Sequence, residues 1–420
     1  MRILVIGRGG REHTIIWSLK KSPKVKEIFC APGNGGIAAD AVCIPLQENQ
    51  FEEISQFAID RGIDLIVVGP EDPLSDGIVD FLEAKNLTVY GPRKNAAIIE
   101  GSKVFTKELL KKYNIPTAAY ESFEDYERAL SYLRNQSLPI VIKADGLAAG
   151  KGVVVAQTLV EAEKALQDIM VDQIFGESCK HVVIEEFLRG QEMSLLAFVD
   201  GNVVRPMVPS QDHKPVFDND LGPNTGGMGT YSPVPHIAQS IVDEAIATIL
   251  RPTAEAMVKE GRPFRGVLYA GLMLTEQGPK TIEFNARFGD PETQVLLPRL
   301  ETDLVDIFLA TLNGRLEEME IRWSEQATVC VILASPGYPG NYPKGLKIEG
   351  LNEINEAALV FHSGTSLKDG EVFTNGGRVL GVVGRGRNIA EAREQAYRDA
   401  ECIRFEGKLY RTDIAKKALV

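Results

Sequence analysis

The segment from Thr281 to Gln294 carries side chains whose types and spacing could bind a metal ion beside an anion; its sequence is TIEFNARFGDPETQ. Period-two alternation along a strand puts Glu283, Asn285 and Arg287 on one face and apolar residues on the other. Oxygen ligands at positions i and i+2 suit Mg²⁺, which takes few protein ligands, and Arg287 could hold a carboxylate or phosphate by two parallel hydrogen bonds. The alternative is a solvated sheet face, although an asparagine and a Gly-Asp-Pro turn are unusual there.

A glycine-rich loop between two predicted strands is a second candidate site. It runs from Lys143 to Gly152 as KADGLAAGKG. It differs from a P-loop because three residues separate Gly146 from Gly150, glycine follows Lys151, and a strand comes next. Such a loop can fold over a triphosphate, with backbone amides on the phosphates and Lys143 as a counter-charge. The alternative is an ordinary hairpin turn, which rarely combines so many small residues with two lysines.

The loop GRGGREH, residues 7–13, lies between the first predicted strand and the first predicted helix. The free amides and the dipole of a helix N-terminus favour a phosphate or carboxylate. Glu12 stands where the third glycine of a dinucleotide fingerprint would be, and no acidic residue ends the next strand at the expected spacing. An anion site and a tight turn without a ligand both remain open, whereas an NAD site is disfavoured.

Two consecutive carboxylates, Glu185 and Glu186, lie on a predicted strand. Neighbouring strand residues point to opposite faces, so we expect at least one of the two to face solvent. Glu192 follows shortly after them. It is interpreted either as a carboxylate that binds ribose hydroxyl groups or as a charge at a strand edge.

Residues 208–235 are rich in proline, glycine and asparagine and show little periodicity. An irregular segment of this length inside a compact domain is usually functional. It contains Asp212-His213-Lys214 and the run from Asn224 to Gly229, whose glycines permit close backbone approach to a small substrate. No serine or cysteine nucleophile signature accompanies His213, so a hydrolase triad is disfavoured, as is a zinc site.

Apolar runs and helical patterns alternate over residues 1–102, which predicts a parallel sheet covered by helices on both faces. The runs are 3–6, 63–68 and 87–90, and the helices are 12–20, 51–61 and 76–85.

The remaining chain is predicted as α+β and is mostly antiparallel in its middle part. Its predicted strands are 140–144, 153–156, 182–187, 193–199, 203–207, 267–275, 280–286 and 328–334, and its helices are 103–113, 159–170, 237–260 and 389–404. Turn signals occur at Arg189-Gly190, Asp200-Gly201 and Asn375-Gly376.

Length and charge bound the class of protein. A chain of 420 residues exceeds one hydrophobic core and predicts two to four domains. The formal net charge of −12, from 46 basic and 58 acidic residues, disfavours nucleic acid and anionic membranes as partners. The five cysteines form no CxxC pair, and no apolar stretch approaches the roughly 18 residues of a membrane helix. We therefore expect reduced thiols and a cytoplasmic location.

Five segments together resemble the phosphoribosylamine–glycine ligase family, also called glycinamide ribonucleotide synthetase, of the ATP-grasp superfamily. They are GRGGREH (7–13), KADGLAAGKGV (143–153), NTGGMGTYSP (224–233), IEFNARFGDPETQ (282–294) and YRTDIA (410–415). The resemblance runs in order from residue 1 to about residue 415. Departures from the family pattern are Arg8, Pro215 and Ala415.

The resemblance implies an N-terminal parallel α/β, Rossmann-like domain (1–102), an ATP-grasp core (103–325) with a mobile lid (116–190), and a small C-terminal α+β domain (326–420). It implies ligation of glycine to 5-phosphoribosylamine through glycyl phosphate, with ATP consumed to ADP and phosphate. Alternatives are another ATP-grasp carboxylate–amine ligase and a nucleotide-binding regulator without chemistry. We expect a monomer, with a weak dimer as the alternative.

The matching positions imply a role for each site residue. The residues expected to bind ATP are Lys103, Lys143, Gly146, Gly150, Lys151, Gly152, Glu185, Glu186, Phe187, Leu188 and Glu192. Glu283 and Asn285 are expected to bind Mg²⁺, or Mn²⁺ in its place. The residues expected to contact glycine or phosphoribosylamine are Gly9, Gly10, Asp212, Asn224, Gly226, Gly227, Gly229 and Arg287, and the catalytic candidates are Arg287, Lys143 and Asp212.

Overall fold

The computed structural model describes residues 1–146, 152–174, 176–355 and 358–419. Its strands are β1 (Arg2–Gly7), β2 (Glu27–Pro32), β3 (Val42–Cys43), β4 (Leu65–Val68), β5 (Val89–Tyr90), β6 (Tyr120–Phe123), β7 (Ile140–Ala144), β8 (Val153–Ala156), β9 (Val182–Glu186), β10 (Gln191–Asp200), β11 (Val203–Pro206), β12 (Gln211–Asp212), β13 (Pro215–Phe217), β14 (Leu221–Asn224), β15 (Gly229–Ser232), β16 (Arg265–Thr275), β17 (Gly278–Asn285), β18 (Ala327–Ala334), β19 (Leu359–His362), β20 (Thr365–Lys368), β21 (Glu371–Thr374) and β22 (Arg378–Gly386).

The α-helices are α1 (Gly10–Leu19), α2 (Phe51–Arg61), α3 (Glu71–Asp76), α4 (Ile78–Glu83), α5 (Lys94–Gly101), α6 (Lys103–Lys112), α7 (Tyr126–Leu133), α8 (Leu159–Met170), α9 (Gln239–Ala245), α10 (Arg251–Lys259), α11 (Thr293–Leu296), α12 (Leu304–Leu312) and α13 (Ile389–Cys402). A π-helical turn, Ile246–Leu250, joins α9 to α10 within the predicted helix 237–260. No described helix has the length and apolarity that a bilayer crossing requires.

The N-terminal sheet has the order β3-β2-β1-β4-β5 with parallel pairing throughout, which confirms the predicted α/β class. Strands β1 and β4 are almost entirely buried, as their unbroken apolar runs predict. The predicted helix 76–85 was wrong in its bounds. Gly77, at φ 97°, separates α3 from α4, and such a positive φ favours glycine.

Two antiparallel sheets follow. The first has the order β6-β9-β7-β8, and with α7 and α8 it encloses a small core of its own that includes Ile142, Leu166 and Ile184. The second has the order β11-β10-β16-β17. The turn at Asp200-Gly201 forms the predicted hairpin between β10 and β11. The turn predicted at Arg189-Gly190 does not form a hairpin. It connects β9 in the first sheet to β10 in the second.

A further sheet, here called the C-terminal sheet, has the order β12-β15-β18-β22-β19 and is covered by α13; β13-β14 and β20-β21 form two-stranded ribbons. Strands β12 and β15 come from the segment 208–235, so that segment is less irregular than its composition predicts. Antiparallel pairs set their positions, with Asp212 opposite Thr230 and Tyr231 opposite Val329. The segment thereby joins the middle of the chain to its C-terminal part.

Candidate functional site

Strand β17 presents the predicted metal pair. Phe284 and Ala286 are buried in the core, while Glu283, Asn285 and Arg287 follow the opposite alternation and are half-buried. Arg287 Nη2 donates a hydrogen bond of 3.2 Å to Asn285 Oδ1, so the two side chains are neighbours on one face. The predicted alternation is present from Glu283 to Arg287. It is interrupted at Ile282, which is half-buried like Glu283 and lies at a shift of register between β16 and β17.

Three lysines surround the Glu283 carboxylate. Lys214 Nζ lies 3.8 Å from Glu283 Oε1. Although burial raises the pKa of Glu283, the charges of Lys214, Lys143 and Lys103 hold that pKa below its ordinary value. Lys214 also lies 3.5 Å from Glu192, whose charge raises the pKa of the lysine. Cations from α6, β7 and the segment after β12 therefore converge on one carboxylate of β17.

The glycine-rich loop begins beside this lysine cluster. Lys103 Nζ donates a hydrogen bond of 2.8 Å to the carbonyl of Gly146. The carbonyl of Gly152 accepts a bond of 2.8 Å from the backbone of β7. Gly150 and Lys151 lie outside the described residues, so their predicted contacts with phosphate stay predictions.

The crossover from β9 to β10 carries the residues predicted to line an adenine site. Glu185 is 4% exposed, whereas the Glu186 side chain is 44% exposed and lies 3.3 Å from Lys280. The prediction that the two carboxylates point to opposite faces is thereby confirmed. Phe187 and Leu188, which follow them, are half-buried in the connection between the two sheets.

Arg287 is held by two carboxylates that the sequence did not indicate. Its Nη2 lies 2.9 Å from Glu100 Oε1, and its Nε donates a bond of 3.2 Å to Glu71 Oε2. Burial raises the pKa of Glu100 to about 7 against the opposing charge of Arg287. The guanidinium is therefore fixed in orientation by residues of the N-terminal domain. No local signal marks this pairing, because both carboxylates lie far from Arg287 along the chain.

The first glycine loop closes on its own helix. The Gly9 amide donates a hydrogen bond of 2.6 Å to Glu12 Oε2, so the carboxylate in the first turn of α1 caps the amide that precedes the helix; glycine has no side chain with which to return the bond. A side chain at Gly10 would come 2.6 Å from Gln294 Nε2. At Gly9, a carboxylate of the protein thus takes the place predicted for an anionic ligand, and substrate contact by either glycine stays a prediction.

Asp212 and residues of the segment after β17 lie against Gly227. Gly227 has φ +111°, and a Cβ there would come 2.5 Å from Pro291 Cδ and 2.7 Å from Asp212 Oδ1. Asp212 Oδ1 accepts a bond of 2.6 Å from the His213 amide. Burial, reinforced by the charge of Glu292, raises the pKa of Asp212 well above its ordinary value. Two carboxylates therefore share one part of the site.

Glu292 is a further buried member of this group that received no role from the sequence. It is 2% exposed, and its Oε1 accepts hydrogen bonds from Tyr269 (2.8 Å) and Ser194 (3.2 Å). Glutamate after Asp-Pro is ordinary in a turn, and the partner hydroxyl groups come from β16 and β10. Only the assembled sheet shows that this carboxylate is oriented.

The run from Asn224 to Gly229 is divided between surface and core. Asn224 lies on the exposed β14, opposite Pro215. Gly229 begins β15 and is buried, and a Cβ there would come 2.7 Å from the carbonyl of Cys330. The structure thus brings Gly227 against Asp212 and places Asn224 on an exposed ribbon.

Arg378 reaches this region from the C-terminal sheet. Its Nη1 donates hydrogen bonds to the carbonyls of Gly226 (2.7 Å) and Asp290 (2.8 Å), and it lies 3.3 Å from Asp290 Oδ1. The Gly226 amide donates a bond of 3.2 Å to the hydroxyl of Tyr338. The sequence offered no signal for Arg378, because its segment carries only the hairpin signal at Asn375-Gly376. That hairpin prediction was wrong, since the turn joins β21 to β22 and these strands lie in different sheets.

The side chains present fit a nucleoside triphosphate and a divalent cation. Burial lowers the pKa of Lys103, because its ammonium group is withdrawn from water. An anion bound beside this lysine would stabilise its charged form. Glu283 and Asn285 supply the hard oxygen ligands that Mg²⁺ and Mn²⁺ accept. Among the described residues, no group of three or more His, Cys, Asp and Glu side chains is arranged to hold a metal ion.

Comparisons with known structures agree with this architecture. The crystal structure of phosphoribosylamine–glycine ligase from Thermotoga maritima aligns with a TM-score of 0.86 and 37% identity, covering 99% of this chain and 100% of that one. The biotin carboxylase domain of Hydrogenobacter thermophilus 2-oxoglutarate carboxylase, solved with MgADP, aligns with a TM-score of 0.73, covering 97% and 91%. Its identity is 17%, so it supports the ATP-grasp fold alone.

Sequence comparisons cover the whole chain. Phosphoribosylamine–glycine ligase from Caldanaerobacter subterraneus is 50% identical over 415 residues, 99% of each chain. The Pseudomonas aeruginosa protein of the same name is 49% identical over 425 residues, 100% of this chain and 98% of that one. Family models for the N, ATP-grasp (A) and C domains of phosphoribosylglycinamide synthetase match residues 1–100, 101–293 and 328–417. The chain therefore belongs to the phosphoribosylglycinamide synthetase family, as its motifs predict.

Proposed function

We propose that this chain joins glycine to 5-phosphoribosylamine, converting ATP to ADP and phosphate and giving glycinamide ribonucleotide. The observation that carries the proposal is the convergence of a lysine cluster, an acid–amide pair and a fixed arginine on the half-buried face of β17. Full-length relatives named phosphoribosylamine–glycine ligase support it.

The chemistry requires activation of a carboxylate, which is a poor acyl donor. A glycine carboxylate oxygen attacks the γ-phosphorus, ADP leaves, and glycyl phosphate forms. The amine of phosphoribosylamine then attacks the acyl carbon; a C–N bond forms, the C–O bond to phosphate breaks, and the amine loses a proton. Positioning and charge neutralisation dominate such phosphoryl transfers, so no covalent nucleophile of the protein is needed.

In this proposal, residues of the first antiparallel sheet and α6 hold ATP. Lys103 and Lys143 neutralise phosphates, and the loop 146–152 covers them. Residues 185–188 line the adenine, and Glu192 binds the ribose. A divalent ion, Mg²⁺ or Mn²⁺, bound by Glu283 and Asn285 would neutralise charge on the transferring phosphate.

The remaining groups act on glycine and the amine. Arg287, oriented by Glu71 and Glu100, stabilises the negative charge that develops on the acyl phosphate. Asp212, together with the loop through Gly227, positions the small substrates. The glycines of the 224–229 run allow backbone to approach them closely.

We also propose three domains, 1–102, 103–325 and 326–420, with residues 116–190 as a lid that closes over ATP. The sheet β6-β9-β7-β8 has a separate core and is joined to the rest of the chain by two connections, from α6 to β6 and from β9 to β10. This supports a unit that moves as a body. A cytoplasmic monomer is the expected state.

The test is ADP release, coupled to a reporter enzyme, with each of the twenty amino acids and with phosphoribosylamine generated in place. We expect ADP only when glycine, phosphoribosylamine and a divalent ion are all present. Release with another carboxylate and amine would indicate a different ATP-grasp ligase. No release with any amino acid would favour a nucleotide-binding regulator.

A further inference from the structure

Lys107 is a buried lysine that the proposed function leaves without a role. It lies on α6, one turn after Lys103, and is 3% exposed. Residues four apart on a helix share a face, so Lys107 extends the row of cations that begins with Lys103. Burying an ammonium group is costly unless it is paired, so Lys107 requires partners inside the protein.

Two groups bind the Lys107 ammonium. Its Nζ lies 3.0 Å from Glu185 Oε2 and donates a hydrogen bond of 2.8 Å to Thr117 Oγ1. The Thr117 hydroxyl in turn donates a bond of 2.9 Å to the carbonyl of Thr281 on β17. Lys107 is therefore fixed between β9 and the strand that carries the metal pair.

Glu185 lies between two lysines. Its second oxygen, Oε1, lies 3.0 Å from Lys143 Nζ, and that ammonium donates a bond of 3.1 Å to the carbonyl of Ile282. Glu185 Oε1 makes no well-aligned hydrogen bond of its own, so the contact with Lys143 is electrostatic and not directional. One carboxylate thus serves two ammonium groups, and the three buried groups together keep a net positive charge.

We propose that Lys107 is a positioning residue for ATP: by binding one oxygen of Glu185, it limits neutralisation of Lys143 and keeps that lysine directed at the nucleotide phosphates. The proposal rests on the proposed function, which places Lys143 at those phosphates. Without Lys107, the full charge of Glu185 falls on Lys143, and a buried carboxylate beside the site repels the triphosphate.

The charges around Lys107 are consistent with this role. Burial lowers the pKa of Lys107 to about 8, against the attraction of Glu185 and with a further lowering by Lys143. Glu186, on the same strand, also attracts it, and the ring centroid of Tyr120 on β6 lies 5.5 Å from its Nζ. Lys107 is thus charged at neutral pH and loses that charge within an accessible alkaline range.

The test measures KM for ATP and for glycine separately in K107M, K107R, E185Q and K107M/E185Q. We expect K107M to raise KM for ATP by about tenfold or more while KM for glycine changes less than about twofold. K107R should restore most of the loss, because the positive charge remains. In the E185Q background, K107M should have little further effect on ATP, because Lys107 acts through Glu185.

The matched control is K111M, which removes an exposed lysine from the next turn of α6, with its Nζ 5.7 Å from the same tyrosine ring. Melting temperatures of all variants report on folding. In the wild type, KM for ATP should rise above about pH 8, and this rise should be absent in K107R. A folded K107M with an unchanged KM for ATP would overturn the proposal, as would an equal rise of both KM values or an unaltered alkaline rise in K107R.

The same variants separate this inference from the proposed function. If the wild type releases no ADP with glycine and phosphoribosylamine, the proposed function fails. ATP affinity is then measured by titration calorimetry. Weaker binding by K107M than by K111M would still support the role of Lys107, and equal affinity would refute it.

Discussion

Replacing Arg378 by alanine tests whether the C-terminal sheet helps to build the proposed substrate site. Arg378 Nη1 bridges the carbonyls of Gly226 and Asp290, which belong to two separate loops of that site. The variant removes both bonds and the ion pair with the Asp290 carboxylate. The loop through Gly226 then loses its link to the segment after β17.

The contacts of Arg378 determine how large the effect of its removal should be. A hydrogen bond from a charged donor contributes about 1.5–3 kcal/mol, so two such bonds contribute roughly 3–6 kcal/mol before solvent is considered. The Arg378 side chain is 20% exposed, and water replaces part of what is lost, which favours the lower end. If about half of this loss of roughly 3 kcal/mol raises the free energy of the transition state relative to free enzyme and substrates, kcat/KM falls by about tenfold.

The assay is glycine-dependent ADP release, measured against both substrates, with the melting temperature as a check of folding. R378K should lose less than R378A because one donor group remains. The control is R387A, which removes an arginine from the same part of the chain whose side chain is 87% exposed. If folded R378A keeps the kcat/KM of the wild type, Arg378 does not support the site.

Three further predictions concern single residues. Burial lowers the pKa of His362 to about 3, so below pH 6.5 the unfolded chain binds a proton that the folded chain does not. Unfolding free energy should then fall by about 2–3 kcal/mol between pH 6.5 and pH 4.5 from this group. Denaturation of H362Q should show a flatter acid limb, and an unchanged slope would contradict this. Gly227→Ala should lower both the melting temperature and the activity, because its Cβ would lie 2.5 Å from Pro291 Cδ. Wild-type values of both would show that the loop shifts to accept the methyl group, and would contradict this prediction. E283Q should lose turnover by about a hundredfold or more at saturating Mg²⁺, whereas E276Q, at the exposed turn of the same hairpin, should not; equal rates would remove the metal assignment.

Much of the fold could be predicted because buried strands and helices show a local pattern of apolar residues in the sequence. The unbroken apolar run of β1 and the alternation along β17 each indicate which neighbours a strand has. β2, with the sequence EIFCAP, was not predicted because its run is short and ends in proline. The π-helical turn after α9 has no distinct hydrophobic periodicity, so the sequence predicts one continuous helix there.

The geometry of the candidate site could be predicted where its residues lie close together in sequence. Glu283, Asn285 and Arg287 are such residues, whereas Glu71, Glu100 and the other supporting groups come from distant elements. Nothing in a period of 2 or 3.6 residues identifies which of 46 basic side chains is buried against a carboxylate. Those partners follow only from how the sheets are arranged.

The pairing of β15 with β18 has a consequence for synthesis of the chain. β15 follows the loop through Gly227 directly, and its partner begins at Ala327. A nascent chain that has not yet extended past Ala327 therefore has β15 paired on one side only, with the short strand β12, and its other edge is open. Chains that terminate early should therefore hold the proposed substrate loop less firmly, even when every residue of that loop has been made. We therefore expect activity to appear late in translation, once β18 has been made and pairs with the open edge of β15.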